Sequence, residues 1–366
     1  MTIKSTAFFT TLGAFFVALP AQAALLGSLD TSNLSDLSTA EPTNMHTLNP
    51  SGVTSLNTSI VDNGTVVVKR NNFFYFTDSK GLRRQKQGST TPKTVRSGSK
   101  FSLITKQNDM LVVSNSAIKG KSAGSFLYDL TPGTVQRFQP VVGQIINADL
   151  ARSGRTVAMI AKNAAGKNKV WLSQDSTARL REFSLPTGAK QCTDIALSPH
   201  GKTLSMVCNF KSGNGIVVTM INQQTIGKFY RSLRTDFSPL AIDWLTNSTL
   251  VASGYGPRTP NRALNPAYRR YTIANGRVKT SAALAIDDSA YAPAGTTIVS
   301  PNQIQHYSNT QFFYDYTYLG TQPSDATKLL FGSVIGYFDL GRNTNTVVVN
   351  DGQLNVLTEA HALAGS

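Results

Sequence analysis

Apolar and polar residues alternate along this chain in short runs, each closed by a turn rich in Gly, Pro, Asn or Ser. One hairpin shows the figure most clearly. Ile195-Ala196-Leu197 leads through Ser198-Pro199-His200-Gly201-Lys202 into Thr203-Leu204-Ser205-Met206-Val207. An apolar strand, a Pro/Gly turn and a second apolar strand predict a β-hairpin. The same figure stands upstream, where Ala148-Asp149-Leu150 passes through Arg152-Ser153-Gly154-Arg155 to Thr156-Val157-Ala158-Met159-Ile160. With the Thr-Leu-like start of the second strand as a marker, it recurs at Thr65, Met110, Thr156, Thr203, Thr249, Thr297 and Thr346. The steps are 45, 46, 47, 46, 48 and 49 residues, a rhythm too even for chance.

Each unit carries a third run rich in aromatic or β-branched residues, such as Phe73-Phe74-Tyr75-Phe76, Val170-Trp171-Leu172, Phe312-Phe313-Tyr314 and Leu354 to Leu357. A more polar fourth run follows in most units, as in Val135-Gln136-Arg137-Phe138 and Gly227-Lys228-Phe229-Tyr230. The apolar period of an amphipathic helix is absent after the N-terminal apolar stretch. Four short antiparallel strands in each ~40–50 residues make the blade of a β-propeller. One such sheet cannot bury both faces alone, whereas sheets packed around an axis cover one another. The predicted fold is therefore all-β, a single seven-bladed β-propeller over residues 51–366, with six or eight blades as the neighbouring counts. Units five and six fit least well, and unit six carries an insertion from Ser300 to Gln311. The segment 24–50 is expected to close the ring, Pro42 to Pro50 supplying a missing outer strand and covering an exposed edge.

The run Leu197-Ser198-Pro199-His200-Gly201-Lys202-Thr203-Leu204 resembles the strand-SPDGK-strand turn of the WD40-like, YVTN and TolB-like propellers, with His200 where those repeats carry Asp. The resemblance is to the superfamily. It implies a binding platform in most members and a lactonase, peptidase or oxidoreductase in some.

Residues 1–23 stand apart. Lys4, the apolar stretch Ala7 to Leu19 and Ala21-Gln22-Ala23 have the form of a cleavable secretory signal, with the mature chain starting near Ala24. The stretch is too short to span a bilayer, and no later run approaches the ~20 apolar residues a transmembrane helix needs. The expected location is the periplasm or the exterior. In an oxidising compartment the two cysteines, Cys192 and Cys208, are a disulfide candidate. Pairing Leu197 with Leu204 sets Cys208 opposite Thr193, one position out of step. A five-residue turn or a bulge would bring the sulfurs together.

The formal charge is +15, although charged residues are only 15% of the chain. The excess suits contact with anions: an acidic protein, an acidic glycan or a lipid headgroup. The export signal argues against nucleic acid. The cations gather in the expected connections between second and third strands. These hold Lys69 and Arg70, then Lys119 and Lys121, Lys162, Lys167 and Lys169, Lys211, and Arg258 and Arg262 beside Tyr255. Those connections carry no Asp or Glu. The candidate anion-binding face is Lys119, Lys121, Lys167, Lys169, Lys211, Tyr255, Arg258 and Arg262, against the plainer reading that wet loops are simply rich in Lys. A second basic cluster runs from Lys80 to Lys106 with no acid inside it.

Catalytic signatures are weak. His46, His200, His306 and His361 share no metal-ligand spacing, and neither a nucleophile elbow nor a phosphate-cradling Gly loop occurs. Asp287 and Asp288 are adjacent, so in extended chain they point to opposite faces. The aromatic run Phe312 to Tyr318 is expected to be a strand with one buried and one half-exposed face rather than a sugar platform. No catalytic residue, metal ligand or cofactor is predicted. The leading function is an exported scaffold that binds an anionic envelope component or acidic protein. The alternatives are a lactonase-like hydrolase with carboxylates converging on the central channel, and a structural subunit of an envelope complex.

Overall fold

The computed structural model describes residues 27–30, 42–49, 52–61, 68–98, 100–107, 110–117, 124–153, 156–173, 178–222, 225–256, 266–286, 296–322 and 325–350. Within them every element is a strand, and no helix occurs. The secretory signal, Lys119, Lys121, Arg258, Arg262, the Asp287-Asp288 pair and His361 lie outside the described residues.

Three strands come first: β1 (Gly27–Asp30), β2 (Pro42–Asn49) and β3 (Gly52–Val61). Six sheets then follow in chain order. Sheet one holds β4 (Val68–Arg70), β5 (Phe73–Asp78), β6 (Gly81–Lys86) and β7 (Lys93–Ser97); sheet two holds β8 (Phe101–Gln107), β9 (Met110–Asn115), β10 (Phe126–Asp129) and β11 (Thr134–Arg137). Sheet three is β12 (Ile145–Leu150), β13 (Val157–Lys162), β14 (Asn168–Ser173) and β15 (Arg181–Phe183). Sheet four is β16 (Ala189–Leu197), β17 (Thr203–Phe210), β18 (Gly213–Asn222) and an outer strand in two pieces, β19 (Thr225–Ile226) and β20 (Tyr230–Ser232). Sheet five is β21 (Ser238–Trp244), β22 (Thr249–Tyr255), β23 (Pro266–Ala274) and β24 (Arg277–Ala283). Sheet six is β25 (Thr296–Ser308), β26 (Gln311–Gln322), β27 (Asp325–Asp339) and β28 (Thr344–Asn350). All pairings inside these sheets are antiparallel between sequential strands, with the two pieces β19 and β20 both joined to β18.

The cores lie between consecutive sheets, which accounts for the unbroken apolar runs. On β13, Val157, Met159 and Ala161 join the core shared with sheet two, while Ala158 and Ile160 join the one shared with sheet four. On β17, Leu204, Met206 and Cys208 face sheet three and Val207 faces sheet five. A central strand buried on both faces needs no polar positions. Each fully buried Val, Leu or Met contributes about 1.5–3 kcal/mol. The first strands β8, β12, β16, β21 and β25 neighbour one another from sheet to sheet.

The phase of the predicted repeat holds in the middle and slips at both ends. Met110, Thr203 and Thr249 open second strands as expected and Thr156 immediately precedes one, but Thr297 lies on β25, a first strand, and Thr346 lies on β28, a fourth strand of the same sheet. Phe73 to Phe76, predicted as a third strand, form β5, the second strand of sheet one. At the C-terminal end the cause is the length of sheet six, whose supposed insertion from Ser300 to Gln311 holds the last nine residues of the 13-residue β25, bulged three times against β26, and the turn between them. At the N-terminal end β5 and β9 start only 37 residues apart. A fixed step cannot follow either end. Pro42 to Asn49 pair with β3 as a two-stranded hairpin, and β1 lies on the edge of β27, beside β28. The aromatic run also differs from expectation, since Phe312, Phe313 and Tyr314 are all buried (0%, 3% and 2% exposed), on both faces of β26.

Candidate functional site

First strands carry bulges at matching places: Ile146 in β12, Thr193 in β16 and Leu240 in β21 are the unpaired residues. A bulge bends a strand and re-aims its side chains. In β16 the bulge at Thr193 sets Cys192 directly opposite Cys208, and the two form a disulfide. Of the two ways open to the sequence, a five-residue turn or a bulge, the chain uses the bulge. The bridge suggests an oxidising compartment.

The same strands present three carboxylates that the sequence reading missed. Asp149 on β12 accepts from the backbone N–H of Leu150 (2.8 Å) and from that of Leu197 in sheet four (2.6 Å). Asp194 on β16 accepts from Ile195 N–H (2.9 Å), from Asn147 Nδ2 of sheet three (2.6 Å) and from Ile242 N–H of sheet five (2.7 Å). Asp243 on β21 accepts from Trp244 N–H (2.7 Å) and from the N–H (2.7 Å) and Nδ1 (2.9 Å) of His306 in sheet six. Each carboxylate therefore clasps the next sheet by its backbone. Arg152, at the β12–β13 turn, reaches past sheet four to the carbonyls of Trp244 and Leu245 (3.0 Å to the latter). The inner ends of sheets three to five thus converge.

Burial pushes the Asp149 and Asp194 carboxyls up to about 7, against the backbone N–H donors, which favour the ionised form, and with Asp243 adding like-charge repulsion. The unfolded chain holds both near ~3.9. Between these limits the folded state binds more protons than the unfolded one. The stabilisation is complete below pH ~4 and is lost as pH rises through about 7. Urea unfolding at pH 4.5 and 7.5 is expected to show a fall of about 3 kcal/mol for each of the two carboxyls with rising pH. An Asp149→Asn/Asp194→Asn variant should flatten that slope; an unaltered slope would assign the dependence to other groups.

A lactonase-like site needs carboxylate oxygens free to converge on a ligand. Here both oxygens of all three already accept backbone N–H groups. Among the described residues no group of three His, Cys, Asp or Glu is placed to hold a metal ion.

The cationic set divides differently from the sequence reading. Lys167, in the β13–β14 turn, and Lys211, in the β17–β18 turn, are exposed and make no ion pair. Lys169 is on β14 itself, where it pairs with Glu182 at 3.3 Å. Tyr255 ends β22, half-buried, opposite Ser238 and Pro266. Lys69 and Arg70 end β4, beside the first-to-second-strand turn of sheet one on the opposite side, and Arg70 donates to Thr131 in the third-to-fourth-strand turn of sheet two (3.0 Å). The second-to-third-strand turn of sheet one is instead Asp78 to Gly81, which presents Lys80 and holds Asp78 against the buried Arg83 at 2.8 Å. So the turns are not free of acids, but the one acid in this one is neutralised from within its own sheet.

No family model matches the sequence, and no curated protein resembles it. Among solved structures, the tricorn protease is similar over 78% of this chain at 12% identity with a TM-score of 0.53. The chain spans 30% of the length of that protein. TolB from Acinetobacter baumannii is similar over 78% of this chain and 66% of its own (10% identity, TM-score 0.46), and a chain of the nidogen/laminin complex over 75% and 91% (12% identity, TM-score 0.44). The fold of this chain is a β-propeller.

Proposed function

We propose that the protein is an exported, seven-bladed propeller that serves as a binding scaffold for an anionic component of the cell envelope or an acidic protein. The β2–β3 hairpin is the natural start of the seventh blade, since β3 lies against β28 of sheet six. The observation that carries the function is the pair of exposed, unpaired lysines, Lys167 and Lys211, on equivalent turns of adjacent sheets. Lys80 occupies the matching turn of sheet one, and Lys119, Lys121, Arg258 and Arg262 fall in sequence on the matching connections of sheets two and five. Charges of one sign on one rim raise the local concentration of anions and the rate of encounter. The disulfide supports export.

The test replaces Lys119, Lys121, Lys167, Lys169, Arg258 and Arg262 with Ser and measures capture of envelope components on the immobilised protein, identified by mass spectrometry. Capture by the native chain should weaken as ionic strength rises from 0.01 to 0.15 M, where the screening length falls from ~30 to ~8 Å, and the six-fold variant should lose it. Unchanged capture at low salt would overturn the proposal. Recovery of one stoichiometric set of envelope proteins, indifferent to salt, would favour a structural subunit instead.

A further inference from the structure

The outer strand of sheet four is interrupted. β19 pairs with Ile221 and Asn222, Gly227 N–H still donates to Met220 O of β18 (2.9 Å), and Lys228-Phe229 then leave the ladder before β20 pairs with Ile216 to Val218. The gap opens a cavity of about 410 Å³ at the outer rim of the sheet three–sheet four interface. Its lining includes Pro186, Phe210, Val217, Lys228, Phe229 and Arg231.

The polar and apolar parts of that lining are sharply divided. Phe210 is 3% exposed and belongs to the core between the two sheets, so the cavity reaches an apolar floor. The Arg231 guanidinium lies over the Phe210 ring at 4.8 Å, and the Lys228 ammonium lies 5.8 Å from the centre of the Tyr230 ring. Stacking occupies the guanidinium face and leaves its N–H edge available. Neither cation forms an ion pair or a side-chain hydrogen bond, and the cavity is lined by no acid. Two cations without counter-charge beside an aromatic floor, in a volume of small-molecule size, form a site for one kind of ligand.

We infer that this cavity binds a small organic anion, with its apolar body held among Pro186, Phe210 and Phe229 and its charge between Lys228 and Arg231. The inference rests on the outer rim of sheet four and is independent of the cationic turns.

The probe is anilinonaphthalene sulfonate, an aromatic ring system carrying one anionic group, titrated into the full chain with fluorescence as the readout. Saturable binding at one site is expected. A Lys228→Gln/Arg231→Gln variant should weaken it about tenfold or more, equivalent to ~1.4 kcal/mol, while Lys279→Gln, an exposed change on sheet five, should leave it unaltered. The uncharged phenylnaphthylamine should bind more weakly than the sulfonate. Thr187→Trp, at the cavity mouth, should exclude both. Near-ultraviolet circular dichroism from Trp171 and Trp244 reports that each variant is folded. Non-saturable binding, equal affinity in the double variant, or equal affinity for the uncharged probe would overturn the inference.

Discussion

Replacing both Cys192 and Cys208 with alanine is expected to lower the free energy of unfolding by about 3 kcal/mol, the effect of releasing a loop of this size in the unfolded chain. The two residues are separated by 16 positions, and both side chains are buried, at 1% and 0% exposure. Alanine is the right replacement because serine would bury two hydroxyls with no assured partner. Urea titration followed by tryptophan fluorescence measures the loss locally. Trp171 lies in sheet three, and Trp244 donates from sheet five to Ala196 O (3.2 Å) and Ser205 Oγ (2.8 Å) of sheet four. The bridge therefore sits in the sheet between the two reporters. A loss below about 1 kcal/mol would mean that the hairpin register, and not the covalent link, restrains this part of the chain.

The second large effect is expected from Asp194→Ala. The substitution strips the partner from Ile195 N–H and Ile242 N–H, in two sheets, and leaves Asn147 Nδ2 of a third with only the Thr193 carbonyl at 3.5 Å. Each buried donor left unpaired costs about 1–3 kcal/mol, and water entering the space recovers part of it. A net loss of about 3 kcal/mol follows. Asp149→Ala, which releases only Leu150 and Leu197, should lose about 2 kcal/mol. The Trp244 emission should shift to the red in the Asp194 variant before sheet three unfolds, because Ile242 and Trp244 share β21. A change no larger than that of an exposed substitution, about 0.5 kcal/mol, would show that the carboxylates do not hold neighbouring sheets together.

Much of this architecture is legible in the residues. The step from Met110 to Thr249 tracks four consecutive second strands because blades with short turns have nearly constant length. Both cysteines carry their own register information, and the single bulge needed at Thr193 is where the chain puts it. The ends are less legible. The 13-residue β25 and the 15-residue β27 outrun a step tuned to strands of six to nine, so markers taken by spacing alone land on the wrong strand. At the other end, β5 and β9 start only 37 residues apart, and that shorter step moves Lys69 and Arg70 across the molecule, since exchanging first and second strands exchanges the two faces. The clasping carboxylates had a signal that went unused. Asp149, Asp194 and Asp243 recur at 45 and 49 residues, within the same rhythm as the hairpins. What single-chain reading could not supply is the partner of each, because a backbone N–H in the following sheet leaves no mark on the sequence. The rim cavity is equally silent: nothing in Lys228-Phe229 says that those residues leave the ladder.

The clasps also have a direction. From Asp149 to Leu197, from Asp194 to Ile242 and from Asp243 to His306, the acceptor always precedes its donor in the chain. In these three pairs the oxygen is therefore synthesised before the N–H of the following sheet that fills it. A chain cut short after Trp244 would therefore retain Asp243 with its inter-sheet donors from His306 missing.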